Sequence, residues 1–239
     1  MGAFNAIFQE SRNCRIVCNK YCKELIIGGI SMRRRNTFWL ILVFAIITTL
    51  VGCSNNPDAP KLLTEEGIAP YELSESEKYI LESFGMKNNS QIISFHAPRD
   101  GITLNVNVYR LEGNTNWSNI GGGAVSIGTD REPIEQLIGT FTMQLRENYA
   151  IDFIINAGGI GSYKTGEILL DTEPMASFKG FLEEFQKIEI NKEIPIALMV
   201  YDSGTSMKAY ALEDYFTPSK FEGMDLVQVV TLTFSDREL

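Results

Sequence analysis

Apolar and polar side chains alternate along most of this chain, and a period of two marks strands that bury one face. Ile102, Leu104, Val106 and Val108 share one face and Asn105, Asn107 and Tyr109 the other, with Gly113-Asn114 opening a turn toward Trp117. Leu137, Gly139, Phe141, Met143 and Leu145 repeat the pattern opposite Thr140, Thr142, Gln144 and Arg146. A tight turn near Glu147-Asn148 then pairs that strand with Ala150 to Asn156. Further strands are expected at Gln91 to His96, Asn119 to Ile127, Gly166 to Leu170, Ile194 to Asp202, Ser206 to Leu212 and Leu226 to Phe234. Nine short strands separated by turns favour two packed antiparallel sheets over a parallel α/β sheet. The expected class is therefore mainly β, an antiparallel β-sandwich, with α+β as the alternative.

Two segments break the alternation. Ser74-Glu75-Ser76-Glu77 has the form of a capping box, followed by Tyr79, Ile80, Leu81 and Phe84 and stopped at Gly85. It predicts a short N-terminal helix that packs one face on the domain. Met175, Phe178, Phe181, Leu182 and Phe185 recur at spacings of three and four behind Pro174, which predicts a second helix covering an end of the sandwich.

Ahead of the strands lies a different kind of sequence. Arg33, Arg34 and Arg35 precede an uncharged stretch from Thr37 to Leu50, which ends in Leu50-Val51-Gly52-Cys53. A basic cluster, a short apolar core and small residues at a cut make up a secretory signal. As a helix the core would rise roughly 21 Å, short of the ~30 Å of hydrocarbon that a permanent span must cross. Leu50, Gly52 and Cys53 resemble the lipobox of bacterial lipoproteins, and Val51 falls within its tolerance. The resemblance implies cleavage between Gly52 and Cys53 and attachment of a diacylglyceryl group to the Cys53 sulfur. Two or three acyl chains, at about 0.8 kcal/mol per buried methylene, would hold the protein on the membrane durably. It further implies the extracytoplasmic face of a bacterial cell membrane as the working location.

The expected organisation follows from that boundary. Residues 1–31 are an upstream extension with translation starting at Met32, 32–52 the signal peptide, 53–73 a polar tether, and 74–239 one β-rich domain. Cys14, Cys18 and Cys22 recur every four residues, but their spacing matches no usual zinc or iron–sulfur pattern, so they are read as discarded sequence and no metal is expected. Of the 239 residues, 187 remain after the cut, with Cys53 the sole thiol, so no internal disulfide can brace the core. The removed 52 residues take 7 of the 21 basic and 2 of the 30 acidic side chains, leaving 14 against 28 and a net charge of −14. Such a surface repels phosphate backbones, and nucleic acid is excluded as an expected partner.

Motifs that suggest chemistry read more simply as turns. Asp202-Ser203-Gly204-Thr205-Ser206 looks like an aspartic-protease loop, yet that chemistry needs two such carboxylates and the chain has no second copy. A turn rich in Asp, Ser and Gly is the expectation. Gly158-Gly159-Ile160-Gly161-Ser162-Tyr163-Lys164-Thr165-Gly166 lacks the Gly before Lys that a phosphate loop requires, and is expected to be a mobile loop between strands. Gly121-Gly122-Gly123 suggests a bulge or close backbone approach. His96, the only histidine, is expected to end a strand. Acidic pairs such as Asp130 with Glu132 and Glu183 with Glu184 are expected as ordinary features of an acidic surface. Tyr109, Trp117, Tyr149, Tyr163 and Tyr201 would either form a glycan platform or pack across the sheets, the commoner use of strand aromatics.

No catalytic residue and no cofactor is therefore assigned. The expected function is a lipid-anchored binding or interaction module outside the cytoplasm, its partners the bilayer through acylated Cys53 and an extracytoplasmic protein or glycan. The alternatives are a cell-envelope hydrolase using Asp and Glu carboxylates, or an accessory subunit of a membrane assembly.

Overall fold

A computed structural model of the protein describes residues 62–113, 115–128 and 136–239. The basic cluster, the lipobox with Cys53, the cysteines at 14, 18 and 22, and the pair Asp130 and Glu132 lie outside the described residues. Within them the alternating segments become strands as expected: β2 (Ser90–His96), β3 (Thr103–Glu112), β4 (Asn116–Ser126), β5 (Ile138–Leu145), β6 (Ile151–Asn156), β9 (Glu193–Asp202) and β10 (Leu226–Ser235). Three more are β1 (Gly67–Pro70), β7 (Ile160–Lys164) and β8 (Ala176–Phe181). Every pairing is antiparallel, in two five-stranded sheets ordered β1-β2-β5-β6-β7 and β4-β3-β10-β9-β8. The protein is a mainly β, antiparallel sandwich.

Alternation places the core between the sheets. Ile93, Phe95, Phe141, Met143, Phe153 and Ile155 of the first sheet are buried in one cluster with Leu104, Val106, Val230, Leu232 and Phe234 of the second. Phe95 and Phe234 meet across the gap with ring centroids 5.7 Å apart. Each side chain of this kind contributes about 1.5–3 kcal/mol when fully withdrawn from water. Between β5 and β6 the expected turn forms, Tyr149 taking a positive φ of 61°.

Three of the four edge strands, β4, β7 and β1, meet another segment. On one side, the β3–β4 register shifts beside Gly121, and a Cβ built on Gly123 would come within 2.5 Å of the Tyr163 ring of β7. Tyr163 donates to the Ala124 carbonyl at 2.7 Å and stacks on Phe153. The glycine run thus provides both the bulge and the close approach expected of it. On the other side, Ile68 of β1 and Gln186 exchange backbone hydrogen bonds of 2.8 and 2.9 Å. That strand lies inside the segment 53–73 assigned to a tether, which is thereby shortened. Four residues are too few to display a period, and their pairing with β2 is visible only in three dimensions.

The second sheet carries another core on its outer face. Leu198, Val200, Val227 and Val229 are buried there under Tyr210, Tyr215 and Phe221. These aromatic residues come from the connection between β9 and β10, which holds two short 3₁₀ turns, Leu212–Phe216 and Pro218–Phe221.

Several expectations are corrected. The helix expected over Met175–Phe185 is strand β8. Its Phe178 packs on the outer cluster and its Phe181 on the inner core, so burial from both sides of a strand imitates a helical spacing. The strand expected at Gly166–Leu170 falls instead at β7, and Ile168 closes the end of the main core while Leu169 is exposed. Ser206–Leu212 is irregular up to the first 3₁₀ turn, because its tyrosine packs down onto a sheet rather than pairing beside it.

Helix α1 (Glu75–Ser83) forms where expected. Glu77 N–H donates to the Ser74 hydroxyl at 3.3 Å, Ser74 N–H donates to the Glu77 carboxylate at 2.7 Å, and Gly85 ends the helix at φ +69°. It does not pack a face on the domain: none of its residues is buried, and Tyr79 and Phe84 are 72% and 75% exposed. The cap and first turn, rather than tertiary contact, support it.

Candidate functional site

The residues singled out in the sequence do not converge. The Asp202 carboxylate accepts from Gly204 N–H at 3.0 Å, and Ser203 N–H donates to Asp225 at 2.5 Å, so this segment is the expected turn. The glycine-rich segment is not a mobile loop. Ala157 N–H donates to the Gly159 carbonyl, closing a hairpin, and Ile160–Lys164 then pairs with β6. Its regular alternation is masked in the sequence by glycines at both ends. His96 ends β2 as expected, with Nε2 3.1 Å from Gln136 Oε1. The five aromatic residues belong to separate packing groups: Tyr109 and Trp117 with Tyr215, Tyr149 with Tyr201, and Tyr163 with Phe153. They pack across the fold and build no platform.

The structure points elsewhere. A cleft of about 440 Å³ runs along β8, lined by residues 178–184, 186 and 210–213. Its volume lies within the range of pockets that hold small ligands or short segments. One wall is the strand itself, and the other is the start of the first 3₁₀ turn. Tyr210 is among the cleft's lining residues. Only 9% exposed, it stacks among Phe178 and Phe221, and its hydroxyl is buried without a hydrogen-bond partner. Burial pushes its ionisation above the ordinary tyrosine range, and the charges of Asp202 and Asp214 push in the same direction. Lys208 lies 5.2 Å over the ring.

Charge around the cleft is uneven. Glu183, Glu184 and Glu213 stand exposed at its rim. Lys179 contributes the opposing charge, but its ammonium turns to Asn89 Oδ1 at 2.5 Å, and burial lowers its pKa. The rim therefore offers carboxylates while its lysine is already engaged.

A polar clamp holds the far wall in place. The Glu193 carboxylate at the start of β9 accepts from Tyr109 at 2.6 Å, from Tyr215 at 2.8 Å and from Thr231 at 3.2 Å. Burial first, and then hydrogen bonding and the Glu193 charge, hold both tyrosines protonated well above their ordinary range. Trp117 Nε1–H donates to the Tyr215 carbonyl at 3.1 Å, which adds a strut from β4. At the turn's beginning Asp214 accepts from Ala211 N–H at 2.9 Å and pairs with Lys220. The lysine and that backbone bond keep its carboxyl below the usual range. Several anchors thus fix the wall that carries Tyr210.

Sequence reading missed Tyr210, Tyr215 and Glu193. A weak signal existed in the density of aromatic residues from Tyr210 to Phe221, too high for an ordinary surface loop. Compared with protein-family models, curated proteins and solved structures, the chain matches none. Among the described residues no helix is long and apolar enough to cross a membrane, and no group of three or more His, Cys, Asp or Glu side chains could hold a metal ion. What the cleft offers is a strand edge and a carboxylate rim, which are means of recognition.

Proposed function

We propose that this protein is a lipid-anchored binding module on the outer side of a bacterial membrane, and that the cleft along β8 is where it binds. The edge of β8 along this cleft, rimmed by the exposed carboxylates of Glu183, Glu184 and Glu213, carries the reading. The braced far wall supports the same view, since a preformed site loses little freedom on binding. A hydrolase would need two carboxylates in unequal surroundings within one cleft, whereas Glu183, Glu184 and Glu213 all stand in solvent.

Anchoring rests on the lipobox. Cys53→Ala is expected to abolish incorporation of radiolabelled palmitate and leave the precursor uncut, and label in that variant would overturn the assignment. Binding is tested by placing a photocrosslinking amino acid at Ala211, an exposed position on the cleft, and at Ser162 on exposed β7. Crosslinks in intact cells at Ala211 and none at Ser162 are expected. Equal yields at both positions, or none at either, would refute the site.

A further inference from the structure

We infer that the outer edge of β8 receives an extended, lysine- or arginine-bearing polypeptide segment as an added strand. This rests on the binding-module reading and names its ligand class. In an antiparallel pair, alternate residues point their backbone groups at the partner and the residues between point away. Leu182 N–H donates to the Ile196 carbonyl at 2.9 Å, and Gly180 and Phe178 lie opposite Leu198 and Val200 in the same register. The backbone groups of Ser177, Lys179 and Phe181 therefore face away from β9. Among the described residues, no backbone hydrogen bond to another segment uses their N–H groups.

The other three edges differ. Strands β4 and β7 face each other through Tyr163 and the glycine run, and β1 exchanges hydrogen bonds with Gln186. Strand β8, by contrast, has a cleft along its edge. Strand addition takes affinity from such main-chain groups and specificity from pockets for alternate side chains. Here Glu183, Glu184 and Glu213 along the rim favour cationic side chains. The acidic chain, net −9, adds a field of the same sign.

The test uses the full, purified chain in detergent and a phage-displayed library of random heptapeptides as the probe. Enrichment of sequences carrying Lys or Arg and free of central proline is expected. In Ser177→Pro the substituted N–H already faces away from β9, so no sheet hydrogen bond is lost while an added strand is blocked. It should weaken the selected peptides by about tenfold or more. Ser177→Ala should bind as the parent does, and Glu183→Gln with Glu184→Gln and Glu213→Gln should weaken binding and remove most of its salt dependence. Should Ser177→Pro unfold, amide exchange on the parent decides: slowed exchange at Lys179 and Phe181 upon peptide addition is expected. Failure to enrich any peptide, enrichment of acidic ones, binding indifferent to Ser177→Pro in a folded variant, or a dimer through β8 that excludes peptide would overturn the inference. Crosslinks at Ala211 to a glycan or lipid, with no peptide bound, would overturn it while leaving the proposed site standing.

Discussion

The two sheets solve the same problem by different means. In the first, β5 and β6 alternate buried with partly or fully exposed residues, and one face looks outward. In the second, eight consecutive residues of β9 and the first seven of β10 are buried, because the β9–β10 connection covers the face that the first sheet leaves open. A strand buried on both faces loses its alternation and reads as an apolar run. The difference also bears on the proposed binding site: the added layer supplies one wall of the cleft, and among the described residues the one-sided sheet has no counterpart.

The contrast is sharpest at outward positions. Leu198→Ala, on the covered face, should cost about 2–5 kcal/mol in urea denaturation, because it leaves a cavity. Thr142→Ala, outward on the first sheet, should stay within about 0.5 kcal/mol. Similar losses at both positions would show that the covering segment is not a packed layer. Gly123→Ala should cost about 1–3 kcal/mol by driving a methyl against the Tyr163 ring. Tyr163→Ala should absorb much of that penalty in a double-mutant cycle, which tests whether the two sheets meet at this edge.

The clamp comes next in size. Tyr215→Phe should cost about 1–2 kcal/mol and loosen the covering segment, seen as faster exchange of the Ala211 and Thr217 amides. It also sets an alkaline limit. Tyr201, pushed by burial to about 12, ionises later in the folded state than in the unfolded chain, as do Tyr109 and Tyr215. The unfolded state then holds fewer protons above its tyrosine pKa near 10, so stability is full below pH 10 and falls as pH rises beyond it. Tyr215→Phe and Tyr201→Phe should each flatten that decline in equilibrium unfolding. The smallest effect is expected at Ser74→Ala, which removes the cap of α1. Because that helix buries nothing, its loss should lower helical signal while leaving the unfolding midpoint nearly unchanged.

What the sequence discloses follows the same division. Phe141 and Thr142 reveal their faces by alternation alone, and Ser74 and Glu77 reveal a helix start through a local motif. Phe178 and Phe181 mislead, since two different layers claim them from opposite sides of β8. The clamp is hidden for a further reason. Tyr109 and Glu193 lie 84 residues apart, and no local pattern marks a carboxylate that will meet hydroxyls arriving from distant strands. Tyr210 is harder still, because its ring packs with Phe178 and Phe221, which no local spacing brings together.

The order of strands has a temporal meaning as well. The last of the described strands, β10, is also the middle of its sheet, joined to β3 on one side and β9 on the other. A chain growing from its amino end can pair β3 with β4 and β8 with β9 early, but these two halves have no seam until residues 226–235 arrive. The first sheet has no such delay. The aromatic layer over the second sheet must wait too, since Val227 and Val229 form part of its floor. Assembly of the second sheet, of its covering layer and of the braced cleft is thus deferred until residues 226–235 are made, and a nascent chain stalled before residue 226 would leave the inner edges of β3 and β9 bare.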